Sequence, residues 1–168
     1  MGELGRRTLR VDVRAVVREL LRAYADEWFA HYNFRFVAVA LRGHRAPSVV
    51  RWLTHRSDAA LARADRLARR IAEIGDAPPE KLGALETVAS DKPFKLPASL
   101  GDVHGVLRAV LDAERTSVRR YDGLERITAP GDPVTHALVV DLLAAAVRAE
   151  DAIERLIDDP APSMDGGR

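Results

Sequence analysis

Apolar side chains recur along this chain at alternating three- and four-residue steps, the signature of helices that each bury one face. From about Val11 to Arg42 the stripe runs Leu20, Tyr24, Glu27, His31, Phe34, Ala38 and Leu41, and it is apolar apart from Glu27 and His31. Asp12 is placed to cap the start of this helix, and Gly43 and Pro47 in "RGHRAP" stop it. The spacing predicts a second helix from about Pro47 to Ile74, ended by Gly75 and Pro78, with Leu53, Arg56, Ala60, Arg63, Leu67 and Ile74 on one stripe. The stretch that follows, about 20 residues without a full helix, is long for a simple link between adjacent antiparallel helices. Leu82, Leu85 and Val88 suggest a short helix inside it. After the cap signal "SLGD" a third helix is predicted over roughly Gly101 to Ile127, with Leu107, Leu111, Glu114, Val118 and Tyr121 in register. The fourth starts with Asp132 as cap and Pro133 in the first turn, a favoured pairing. It runs to about Asp158 with Val139, Leu142, Ala146, Ala149, Ile153 and Leu156 facing inward.

The pattern predicts an all-α chain of two long helices, a long crossover and two more long helices, with no internal repeat and no low-complexity segment. A length of 168 residues suits one domain around a single core, residues 1–168, with a short N-terminal arm and a tail, "PAPSMDGGR", expected to fray. The chain has no cysteine, so no disulfide contributes. A net charge of +1 with 30% charged residues gives no global reason to expect nucleic acid or an anionic membrane as partner. No apolar run approaches the roughly 20 residues that a membrane span requires, and "MGELGRRTLRVDV" lacks the apolar core of a signal peptide. A cytoplasmic protein is expected.

"YADEWFAHYNFRF", "ADRLARRIAEIGDAP", "LDAERTSVRRYDGL" and "DPVTHALVVDLL" resemble the four helices of ferritin-like proteins, nearest to bacterioferritin and the Dps-like bacterioferritin relatives, over about residues 12–158. The resemblance implies a ferritin-like four-helix bundle with a long crossover between its second and third helices. It also implies a homo-oligomer, a dimer or larger. In such proteins a di-iron centre takes one Glu from the first helix, Glu-x-x-His from the second, one Glu from the third and Glu-x-x-His from the fourth. Glu27 and Glu114 match the two single carboxylates. The second helix, however, carries Ala60 and Arg63 at the ligand positions, and the fourth carries Ala146 and Ala149. Four of six ligands are missing, so neither a metal nor any other cofactor is expected there.

Two buried carboxylates left without metals need compensation, because an unpaired interior charge costs several kcal/mol. Arg63 projects at the same level, and its planar fork suits carboxylates on either side. In one reading Glu27, Arg63 and Glu114 form a structural ion triad. In the other, the atoms missing at Ala60, Ala146 and Ala149 leave a pocket with Tyr24 and Phe34 near it, where Glu27, Glu114, Arg63, Tyr121 and His31 serve a small-molecule ligand by proton transfer. His31 is read more simply as a core or rim histidine. His55, His104 and His136 lie near helix ends, His44 in a turn, and "GRRTLRVDVR" is a short basic arm, more often solvated than bound to phosphate. Three functions follow: a metal-independent enzyme (cyclase, isomerase or dehydratase) or binding protein; a structural or inactive subunit of a ferritin-like oligomer; or residual iron storage or DNA protection at another place.

Overall fold

The computed structural model describes residues 9–42, 46–90 and 94–158. Their regular elements are α1 Val13–Ala40, α2 Ala46–Ile74, α3 Leu82–Val88, α4 Val103–Thr128 and α5 Pro133–Asp158. The expected order of two long helices, a crossover with a short helix, and two long helices is the observed one. The expected stop at Gly43, the His44 turn, the tail from Pro160 and the first four residues of the basic arm lie outside the described residues.

Local chemistry sets the helix ends. Asp12 accepts a hydrogen bond from Ala15 N at 3.1 Å, and Asp102 accepts one from Gly105 N at 2.9 Å. Asp132 accepts from Thr135 N at 3.0 Å while Pro133, which has no N–H to lose, opens α5. At the end of α2, Gly75 takes φ +107°, which glycine reaches without a Cβ penalty. This lets Asp76 N bond back to Ile71 O at 3.1 Å and close the last turn.

α1 packs mainly on α2, and α4 mainly on α5, with α3 laid against α1. The core divides along the bundle axis. At one end Val16, Leu20, Leu67, Ile71, Leu124, Val139 and Leu142 form one apolar cluster. At the other, Phe34, Val37, Leu53, Leu107, Val110 and Ile153 form a second. Each fully buried leucine or isoleucine contributes roughly 1.5–3 kcal/mol, so the two clusters supply the main drive for folding. Between them, at the level of Glu27, Arg63, Glu114 and Ala149, the interior is polar and charged.

Candidate functional site

The polar level is assembled from three helices and the crossover. α1 brings Asp26 and Glu27, α2 brings Arg56 and Arg63, and α4 brings Glu114, Arg120 and Tyr121. Glu27 is fully buried. Its Oε2 accepts from Arg63 Nε at 2.9 Å and lies 2.8 Å from Arg63 Nη2, while its Oε1 accepts from the Tyr121 hydroxyl at 2.7 Å and has Arg120 Nη1 at 3.6 Å. Glu114 is engaged separately and on both oxygens. Arg56 Nε and Nη2 donate to Oε1 and Oε2, each at 2.8 Å, the fork-to-fork geometry that makes arginine–carboxylate pairs strong. The Arg56 guanidinium also lies over the Phe34 and Trp52 rings. Asp26 pairs with Arg120 Nε at 2.9 Å and accepts from Ser90 N at 2.8 Å and the Ser90 hydroxyl at 2.6 Å, which ties the crossover to the bundle centre.

Three carboxylates therefore meet three guanidiniums, and burial competes with pairing at each acid. At Glu27 desolvation pushes the carboxyl up, but Arg63, Arg120 and the Tyr121 bond together outweigh it and hold the group below the ordinary glutamate value. At Glu114 desolvation wins over Arg56 and Arg63, and its carboxyl is raised. Asp26 is raised for the same leading reason, against Arg120 and Ser90. Burial and the neighbouring Glu27 charge push the Tyr121 phenol well above its ordinary value, so it stays a neutral donor. Arg63 is raised although its own burial opposes that, because the charge of Glu27 more than compensates.

This geometry corrects the expected triad. Arg63 meets Glu27 as anticipated, but the partner of Glu114 is Arg56, two turns earlier on the same face of α2. Tyr121 joins Glu27, whereas His31 does not: its Nδ1 lies 2.9 Å from both the carbonyl and the hydroxyl of Ser57, and the Ser57 hydroxyl donates to the His31 carbonyl. His31 is a half-buried tie between α1 and α2. The residues expected to line one pocket are dispersed. Tyr24 packs on the first apolar cluster and edge-on to Trp28. Phe34 borders a cavity of about 250 Å³ between α1 and α4, together with Asp26, Asn33 and Phe94. Ala60 and Ala146 are buried in the packed interior, and Ala149 borders an open groove of about 420 Å³ between α2 and α5. Long arginine side chains fill the level that the small residues vacate. Arg56 was visible in the stripe of α2. Asp26, Arg120 and Ser90 gave no comparable signal, since each sits one position off a stripe or in the crossover.

The centre does not fit a dinuclear metal site. Such a site needs about four carboxylates with imidazoles. Glu27 and Glu114 already have their oxygens engaged by guanidinium and phenol donors, and among the described residues no histidine bonds to either. Among the described residues no group of three His, Cys, Asp or Glu side chains stands where it could hold one ion.

Known proteins carry this fold with varied sequence. The chain is 26% identical over 153 residues to the DNA protection during starvation protein of Pyrococcus furiosus, covering 88% of this chain and 79% of that one. Its backbone is similar to that of the bacterioferritin-related protein of Bacteroides fragilis, described as a dodecameric thioferritin, with a TM-score of 0.87 at 21% identity over 94% of each chain. It is also similar to Dps from Thermosynechococcus elongatus, with a TM-score of 0.81 at 14% identity over 91% of this chain and 96% of that one. The family profile of the ferritin-like domain matches residues 17–161, nearly all of the bundle whose caps, crossover and central acids are described above, and the chain belongs to that family.

Proposed function

We propose that this chain is a Dps-like shell subunit whose bundle centre has changed from a place for metal chemistry to a fixed ion-pair core. One observation carries the reading: both remaining family carboxylates, Glu27 and Glu114, are buried and each is bonded to its own arginine. Guanidinium supplies permanently the positive charge that divalent ions would supply, so the acids stay paired and neither is left to bind iron. The same pairing gives the metal-independent enzyme reading no support, because a general base needs a lone pair directed at a substrate.

Assembly has its own support. Tyr32, Phe36 and Val39 are exposed at 65, 47 and 72% along one face of α1, with Leu82 of α3 exposed at 77%. The Trp28 indole N–H, buried beside this face, meets no acceptor among the described residues. A face of that kind suits a second copy of the chain. Val140 and Val147, at i and i+7 on α5, form another exposed apolar pair. The Bacteroides fragilis relative is described as dodecameric, and a dodecamer is the assembly proposed here.

Light scattering on the purified protein should give a mass about twelve times the 18.5 kDa of the chain. Added ferrous iron should oxidise no faster than in a protein-free control. A monomer would overturn the shell reading. Rapid oxidation abolished by Glu27→Gln would overturn the assignment of the centre.

A further inference from the structure

The groove between α2 and α5 is lined by four arginines and a histidine, Arg56, Arg63, Arg66, Arg148 and His55, and by no Asp or Glu. Its floor is alanine from both helices: Ala59 and Ala62 of α2, and Ala145, Ala149 and Ala152 of α5. On α5 these alanines follow i, i+4, i+7 spacing, which puts small side chains on one face and keeps the slot open. Trp52 closes one end with an aromatic surface.

The arginines differ in how much of their donor capacity is spent. Arg66 is exposed and paired with Asp141 at 2.7 Å. Arg56 and Arg63 have side chains only 9% exposed, and each bonds its glutamate through Nε and Nη2, which leaves the Nη1 amine out of those bonds. Arg148 and His55 are exposed and make no ion pair or hydrogen bond among the described residues. An alanine-floored slot of about 420 Å³ with two anchored guanidiniums at its base and an unspent one at its rim is within the size range of small-molecule sites. Its electrostatics select an anion.

We propose that this groove binds a small organic oxyanion, a carboxylate or phosphate carried on a flat apolar body. The oxyanion is held by Arg148 with the outward edges of Arg56 and Arg63, and the body lies on the alanine floor against Trp52. The site opens away from the carboxylates of the bundle centre and shares with them only the guanidiniums of Arg56 and Arg63.

Calorimetric titration of the purified full-length protein at low salt with phenyl phosphate, benzoate and inorganic phosphate tests this. Phenyl phosphate or benzoate should bind saturably, the tighter of the two showing whether phosphate or carboxylate is preferred. Inorganic phosphate, lacking the body, should bind at least about tenfold more weakly. Arg148→Gln should weaken binding by about tenfold, the loss of one charge-assisted contact. Ala62→Leu, at an exposed position on the slot, should abolish binding by filling it. Both variants should keep the helical circular dichroism, since neither site is buried. Failure of both organic probes to bind would overturn the proposal. So would binding that survives both substitutions, or inorganic phosphate binding as tightly as phenyl phosphate.

Discussion

Arg56→Ala should destabilise the fold by roughly 3–5 kcal/mol, the usual cost of removing one member of a buried ion pair. Glu114 is 1% exposed, and among the described residues every hydrogen bond to its carboxylate comes from Arg56. Without Arg56 it faces only the more distant charge of Arg63. Arg63→Ala should cost less, because Glu27 keeps the Tyr121 hydroxyl at 2.7 Å and Arg120 at 3.6 Å. That ranking separates the observed arrangement from a triad centred on Arg63. Replacing both partners, as in Arg56→Met with Glu114→Leu, should restore most of the loss, since apolar side chains of similar volume carry no desolvation penalty.

The pH dependence follows from the directions at the two acids. Glu114 is raised, chiefly by burial, so its contribution is fully present below the unfolded value and is lost as pH rises through the folded one. Removing Arg56 raises it further. The deficit of Arg56→Ala should therefore be larger at pH 8 than at pH 5, where protonation relieves the orphaned charge. Glu27 is lowered once its partners outweigh burial, so its contribution is present above the ordinary glutamate value and is lost as pH falls. Denaturant unfolding of wild type and variants at one protein concentration checks both signs, between pH 8 and pH 5 for Glu114 and on further acidification below the ordinary glutamate value for Glu27. A pH-independent deficit for Arg56→Ala under about 1 kcal/mol would place the pair among exposed ion pairs and contradict its burial.

The fold was legible because its determinants are local. Asp12, Asp132 and Pro133 cap helices from adjacent positions, Gly75 ends one, and the three-and-four spacing identifies the buried faces. The centre was legible only where one residue per turn sufficed, which gave Glu27, Glu114, Arg63 and Tyr121. Periodicity shows which residues face inward but not which of two arginines on one stripe reaches a given acid, so Arg56 passed as a stripe member. Asp26 and Arg120 each adjoin a stripe residue and bury their side chains because the opposite charge is there to receive them. The Asp26–Ser90 bonds join positions 64 residues apart and leave no local trace. Whether alanines leave a hole was equally beyond reach of the pattern. The answer depends on the reach of arginines on a neighbouring helix, and it differs between Ala146, which is packed, and Ala149, which borders a groove.

Rebuilding a metal centre is the most demanding test of the register. Ala60→Glu with Arg63→His on α2, and Ala146→Glu with Ala149→His on α5, place a carboxylate and an imidazole at i and i+3 on each helix. All four positions are buried, at 0, 7, 3 and 5% exposure. With Glu27 and Glu114 the set reaches four carboxylates and two imidazoles, enough to neutralise and coordinate two divalent ions. These four substitutions alone should give weak binding, because Arg56 still holds both oxygens of Glu114. Adding Arg56→Leu releases that carboxylate, and the five-fold variant should bind two manganous or anaerobic ferrous ions per chain, measured by elemental analysis after gel filtration. Without metal it should be markedly less stable than wild type, since four buried carboxylates repel one another. Metal should raise its melting temperature through preferential binding to the folded state. If the five-fold variant folds, by circular dichroism, and binds no metal, then Ala60, Ala146 and Ala149 do not face Glu27 and Glu114 across one centre, and the register assigned to α2 or α5 is wrong.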